Sequence, residues 1–364
     1  MADNGTLVHI LTSNQWGGIE RYAFDICRHY RDKGWDVGVL TRAARGVDRR
    51  FEEEGIKLFH APLWGMSDFE TVRILGKLLR KSTGDKVIIH AHGFRSTFSA
   101  LLARKLSHRK DVKVVSTRHR VAPGSDSWLF RKIYKSTDVL LFVSELAKKS
   151  FLSTWHERSC PVDEEKMHVI HNSLNIREPI DTPNELTGPV TAMFHGPLKS
   201  GKGLETLIDA LSLLKDEKFR LRIVGSGKPD YQDILRRRAM ARGVMDKIDW
   251  HRHVDNPLPF ISESHFGVLP SVDEEAFGLA NLEYMAVGRP QVASSNGAQP
   301  EFITDGREGF LIPPGNPVTL ADAMKKLVDD QNLRNRMGER ALATFNESLE
   351  WTGFISRLSE IYSY

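Results

Sequence analysis

Two α/β domains, each a doubly wound parallel sheet, are what this sequence predicts, and three observations carry the expectation. Short apolar runs alternate with helix-length stretches along the whole chain, the pattern of parallel strands joined by crossover helices. The rhythm breaks once, at the polar, proline-containing stretch NSLNIREPIDTPNELTGP of residues 172–189, which reads as a linker. A length of 364 residues gives each side of that break enough chain for its own core, so the domains are expected at 1–180 and 188–346.

The elements follow in order. First-domain strands are expected at 7–11, 37–40, 57–60, 87–91, 113–116 and 139–143, with helical patterns between them, for instance at 19–31, 70–81 and 97–106. Second-domain strands are expected at 190–194, 221–224, 248–251, 265–269 and 292–293. The last segment, 351–362, places Trp351, Phe354, Ile355, Leu358 and Ile361 at helical spacing. No repeat or low-complexity tract is present.

With 40% hydrophobic and 27% charged residues, the composition is that of an ordinary soluble protein. Residues 1–180 carry 30 Lys and Arg against 21 Asp and Glu, a net +9, whereas the rest carries 21 against 26, a net −5. A positive first half suits an anionic acceptor or an anionic membrane surface, and a scattered solvated surface explains it about as well. Two cysteines, Cys27 and Cys160, imply no disulfide framework. The chain enters its first strand with no signal-peptide pattern, and no segment approaches the ~18 apolar residues of a membrane span. The expectation is a cytoplasmic protein with no nucleic-acid partner, working from the membrane surface if its substrate is lipid-linked.

The most informative stretch is PSVDEEAFGLANLEYMAVGRP, residues 270–290, which holds Glu275 and Glu283. A helix is expected to begin near Gly278. Eight residues at ~1.5 Å each would set the second carboxylate ~12 Å beyond the first, about two turns deeper. First-turn amides of Leu279, Ala280 and Asn281 would point between them, and a helix N-terminus is an anion site. A sugar at the mouth, phosphates on those amides and a ribose further in fit that layout, with Phe277, Gly278, Leu279 and Ala280 as donor-binding candidates.

This pattern, Glu, seven residues, Glu, with Phe-Gly-Leu after the first acid, resembles the retaining nucleotide-sugar glycosyltransferases of the GT-B fold, family 4. The resemblance implies two Rossmann-like domains facing a cleft, with the last helix, 350–364, crossing back onto the first domain. It implies that Glu275 touches the transferred sugar and Glu283 holds the ribose hydroxyls. It places Gly17 and Gly18, which open the helix after the first strand, against the donor phosphates and the acceptor. The glycine pair itself permits close backbone approach, but it lacks the GxGxxG of a nicotinamide fold. His119, after the strand at 113–116 and flanked by Arg118 and Arg120, matches a family histidine close to the transferred sugar. A side chain at that strand edge points to where ligands bind in such folds, and the flanking arginines suggest an anion-facing site. His90 and His92 form a His-x-His pair that mimics a metal site, with no third ligand of suitable spacing, and His92 is read as an acceptor-side group.

Residues 196–203, GPLKSGKG, nearly spell a P-loop, but Gly203 stands where the magnesium-holding hydroxyl belongs. They also match the family's Gly-Arg…Lys-Gly element, in which an arginine and a lysine neutralise the diphosphate. Lys202 takes the lysine's place, Pro197 replaces the arginine, and Lys199 is the candidate second cation. Gly225 allows backbone to approach the nucleotide, and His253 and Val254 sit where family members hold the base. Ser295, Asn296 and Gly297, with Gly309 to Leu311 beyond, read equally well as supporting loops or plain turns.

The implied reaction is transfer, with retention, from a UDP- or GDP-sugar to a saccharide or lipid-linked saccharide in cell-surface glycan synthesis. Lys202 and the helix mouth would balance the leaving diphosphate. The chain holds no Asp-x-Asp, which agrees with a metal-free, cofactor-free site. Loops bearing Trp16, Trp64, Arg95, Arg118 and Arg120 are candidates to receive the acceptor. Alternatives are a related phosphorylase or nucleotide-sugar hydrolase, a P-loop-like nucleotide-binding protein using Lys202, and a catalytically silent sugar-nucleotide binding module, to which Pro197 points.

Overall fold

A computed structural model describes residues 5–363 apart from 44, 66–67, 83–85, 156–158, 182–185 and 215–217. Part of the expected linker and Tyr364 therefore lie outside the described residues. The chain divides into two compact units, Met1–Asn175 with Thr352–Tyr364, and Ile176–Trp351.

The first unit holds seven strands: β1 Gly5–Ile10, β2 Asp36–Thr41, β3 Lys57–His60, β4 Lys86–Ala91, β5 Val112–Arg118, β6 Val139–Phe142 and β7 Met167–Val169. They lie in the order β3-β2-β1-β4-β5-β6-β7, and every neighbouring pair is parallel. All six residues of β1 are buried, as expected of a parallel sheet covered by helices on both faces. The strand order reverses between β1 and β4, and the carboxyl ends at such a reversal are where doubly wound folds bind ligands. The helix Phe69–Lys81 starts where the Asp68 carboxylate accepts from the Thr71 amide at 3.0 Å. Helix Trp351–Ser363 packs Phe354, Ile355, Leu358, Ile361 and Tyr362 inward. Within this unit the Tyr362 hydroxyl contacts His90 Nδ1 at 2.5 Å, and Lys113 Nζ donates to the Ile361 carbonyl at 2.5 Å, satisfying a helix-end acceptor.

The second unit holds β8 Val190–His195, β9 Phe219–Val224, β10 Ile248–His251, β11 Phe266–Leu269, β12 Gln291–Ser294 and β13 Gly309–Ile312, ordered β10-β9-β8-β11-β12-β13 and again parallel. Phe194, Leu207, Leu211, Leu221, Ile223, Val268, Met324 and Leu327 join in its core. Its reversal lies between β8 and β11. A Cβ on Gly267 of β11 would lie 2.5 Å from the Tyr284 ring, so the glycine lets helix Leu279–Ala286 ride directly on the strand. That contact sets the height of Glu283.

Two strands escape the sequence reading. β7 is only three residues long, and β13 (GFLI) opens on a glycine, so neither presents an apolar run long enough to stand out.

Candidate functional site

In the second unit the loop after β8 and the loop after β11 meet backbone to backbone. Gly201 and Gly203 both take left-handed backbones, with φ of 88° and 71°. A Cβ on Gly203 would lie 1.8 Å from the Pro270 carbonyl oxygen, and one on Gly201 1.9 Å from Asp273 Oδ2. The amides of Val272 and Asp273 both donate to the Gly201 carbonyl, at 2.8 and 3.0 Å. Only glycines permit this approach, and the approach delivers Lys202 to Glu275. Lys202 Nζ donates to Glu275 Oε1, which also accepts from Ser271 Oγ at 2.7 Å. The Glu275 backbone is held in turn by the Ala298 amide, at 2.9 Å to its carbonyl, beside Gly297, where a Cβ would fall 2.6 Å from that same oxygen. The turn at 295–297 thus braces the first acid.

Glu283 sits one turn into an eight-residue helix, Leu279–Ala286, so the two-turn offset expected from sequence shrinks: Glu275 belongs to the preceding loop. Of the three amides expected to face a ligand, that of Asn281 donates instead to Gly278 O at 2.9 Å. Glu283 Oε2 lies 2.6 Å from His195 Nε2 at the end of β8. His195 Nδ1 is 2.9 Å from the Tyr284 hydroxyl, which donates to the Met193 carbonyl at 2.8 Å.

Other expected residues are placed differently. Phe277 is buried against Phe302, with ring centroids 4.9 Å apart, so it offers a ligand backbone only. Lys199 is exposed, as is Pro197. Gly225 makes its close approach to protein: a Cβ there would lie 2.0 Å from Gly196 O, and its amide donates to His251 O. The His253 amide donates to Ser226 Oγ at 3.0 Å, and Val254 beside it is half-buried.

In the first unit the carboxyl ends of β1, β4 and β5 gather four histidines. His9 Nδ1 lies 2.8 Å from His92 Nε2, and His92 Nδ1 lies 3.0 Å from His119 Nε2. His90 is bonded at both nitrogens, to Tyr362 Oη and to Thr117 Oγ1 at 2.6 Å. Burial pushes the His9 and His119 imidazoles down to about 3 and those of His90 and His92 well below the ordinary range, so all four are neutral. His9 Nε2 is buried with no partner. A proton there would be an orphaned donor, so His9 carries its proton on Nδ1 and donates to His92, which donates to His119. The chain leaves His119 with its proton on Nδ1. His9 is thus the third imidazole that the sequence reading did not find for the His-x-His pair, and nitrogens of His9, His90 and His92 lie within 4.8 Å of one another. It was hidden 81 residues upstream of His90, on β1, which pairs with β4 only in the fold.

Gly17 caps and Gly18 begins the helix Gly18–Asp32. Arg118 does not face an anion site. Its guanidinium lies 4.8 Å over the Phe151 ring and donates to Tyr134 Oη and the Ala122 carbonyl, while Arg120 is exposed. Trp16 packs on Phe24 and under Arg50, whereas Trp64 is 78% exposed. Among the described residues no helix is long and apolar enough to cross a membrane.

Residues 177–344 match the family model described as Glycosyl transferases group 1, and residues 16–178 match that of Glycosyltransferase Family 4. The chain is 24% identical to the glycogen synthase of Mycobacterium tuberculosis, with 95% of this chain and 91% of the relative covered. It is 25% identical, at the same coverage, to the D-inositol 3-phosphate glycosyltransferase of Corynebacterium glutamicum. Anabaena HepE, solved in complex with UDP-glucose, superposes with a TM-score of 0.82 at 20% identity, covering 98% of this chain and 99% of that one.

Proposed function

This chain belongs to the group 1, family 4 glycosyltransferases, and we propose that it moves a sugar from a nucleotide-sugar donor to a saccharide or lipid-linked saccharide, with retention at the anomeric carbon and without a metal or cofactor, in cell-surface glycan synthesis. The observation that carries the reading is the meeting of Lys202, Ser271 and Glu275 at one strand-end junction, with Glu283 one turn into the adjoining helix. A UDP-sugar is the favoured donor, in line with the UDP-glucose bound by HepE.

Breaking the bond from the anomeric carbon to the diphosphate places negative charge on the departing phosphate. Lys202 supplies the cation there, and the first-turn amides of Leu279 and Ala280 supply aligned dipoles. In the ligand-free protein the carboxylate of Glu275 keeps the ammonium in place until a donor arrives. Glu275 then orients the sugar hydroxyls, Glu283 accepts from the ribose, and His119 hydrogen-bonds the sugar in its Nδ1–H tautomer. The acceptor hydroxyl attacks from the face that the nucleotide leaves, its proton passing to the departing phosphate oxygen, so configuration is kept. Lys202 is engaged by a carboxylate, which weighs against a P-loop nucleotide switch.

The test is K202A and E275A assayed with UDP-sugars and a saccharide acceptor panel, the product anomer being read by NMR. Each variant is expected to stay folded and lose roughly 100-fold or more in turnover. Near-normal turnover in both, or an inverted anomer from the wild type, rejects the reading.

A further inference from the structure

Proton counting around Glu283 leads to a residue that the family pattern did not single out. A carbonyl oxygen only accepts, so the 2.8 Å contact between Tyr284 Oη and Met193 O contains the phenol's proton. Burial, with Glu283 nearby, pushes the Tyr284 phenol well above its ordinary range, so that proton stays. The hydroxyl has then only lone pairs to offer His195, and the 2.9 Å contact requires a proton on His195 Nδ1. On the other side of the ring, Nε2 and Glu283 Oε2 are 2.6 Å apart, a contact that also needs a proton between the two atoms. With Nδ1 donating to the phenol oxygen and the carboxylate accepting at Nε2, the ring donates from both nitrogens. The opposite arrangement, Tyr284 donating to His195, would leave two oxygens facing each other at 2.8 Å with no proton between them. Both side chains are shielded, at 8% and 12% exposure, so the ion pair is little weakened by water.

We propose that His195 is the positioning residue of the donor site: as an imidazolium it neutralises Glu283 and fixes its carboxylate, leaving Oε1 to accept from the ribose of a nucleoside diphosphate. The proposal rests on the reading of Glu283 as the ribose-binding acid. Among the described residues Oε1 has no hydrogen-bond partner, which is the state a ligand-binding oxygen needs. The charge balance matters as much as the geometry. A bare carboxylate would repel the diphosphate attached to the same ribose, and the paired acid presents no net charge. The titratable groups facing the ring are Glu283 and Tyr284, both from the helix Leu279–Ala286. Neighbouring β9 and β11 contribute no charged partner to it among the described residues.

Two measurements test this. Ring-15N histidine NMR of the whole, ligand-free protein is expected to show one doubly protonated imidazole that is absent in H195Q and becomes singly protonated in E283Q. A His195 protonated only at Nε2 overturns the proposal without reference to any ligand. Calorimetric titration with UDP and GDP then reads the consequence. H195Q is expected to bind about tenfold more weakly than wild type. E283A, compared on UDP and 2′,3′-dideoxy-UDP, separates the two readings. If E283A still prefers UDP as the wild type does, the ribose role of Glu283 fails. If that preference is lost but H195Q binds as tightly as wild type, the role of His195 alone fails.

Discussion

The close approach of the loop after β8 to the segment after β11 is the structural cause of the Lys202–Glu275 pair, and Gly203→Ala tests it. At φ 71° an alanine meets the left-handed backbone penalty of ~1–2 kcal/mol. Its Cβ would also fall 1.8 Å from Pro270 O, a backbone atom that yields only if the 270–273 segment shifts, at about 1–3 kcal/mol as for other overpacked sites. The two contributions together come to roughly 2–5 kcal/mol. Gly243→Ala is the matched control. Its φ is 67°, and nothing lies within 4 Å of where its Cβ would be, so it bears only the conformational part. Urea denaturation of wild type and both variants, followed by circular dichroism, gives the comparison. G203A should lose about 1–3 kcal/mol more than G243A, and sugar transfer should fall in G203A alone. Equal destabilisation of the two variants, or full transfer activity in G203A, would refute the packing argument.

Three further outcomes are expected. The neutral histidines of the first unit have folded values below their unfolded ones, so the unfolded chain binds more protons and stability drops as pH falls from about 6.5 toward 3. For His9 and His119 the loss is roughly 2 kcal/mol each by pH 5. A urea midpoint that rises on acidification would contradict the neutral chain. Tyr362→Phe strands His90 Nδ1 without a partner and should cost about 1–3 kcal/mol, measured by thermal unfolding, with faster amide exchange along helix Trp351–Ser363. Arg118→Ala should lower stability by about 1–2 kcal/mol through its contacts with Phe151 and Tyr134, yet leave UDP affinity unchanged in a calorimetric titration.

Both parallel sheets were legible in the sequence because buried parallel strands are apolar runs. Lys202 and the two acids stand out in two separate stretches, 196–203 and 270–290, and the sequence alone does not show that Lys202 and Glu275, 73 residues apart, meet. What stayed hidden depends on pairing across the sheet. His195 and Tyr284 are 89 residues apart and meet only because β8 lies beside β11. His9 reaches His92 for the same reason, through β1 and β4. Arg118 was misjudged because its neighbours in sequence are polar, while its neighbours in space are Phe151 and Tyr134. The depth of Glu283 was misjudged because the residues from Glu275 to Gly278 were counted as helical rise, whereas the helix begins at Leu279 and Glu275 lies in the loop before it.

A thermal-shift panel of nucleotide sugars against wild type, K202A and E283A addresses the donor site most directly, since a bound donor raises stability by mass action, ~2.7 kcal/mol at 100 times its Kd. At least one nucleotide sugar should stabilise the wild type, with the shift much reduced in each variant. A wild type that none of them stabilises, or a shift undiminished in both variants, would contradict the site described here.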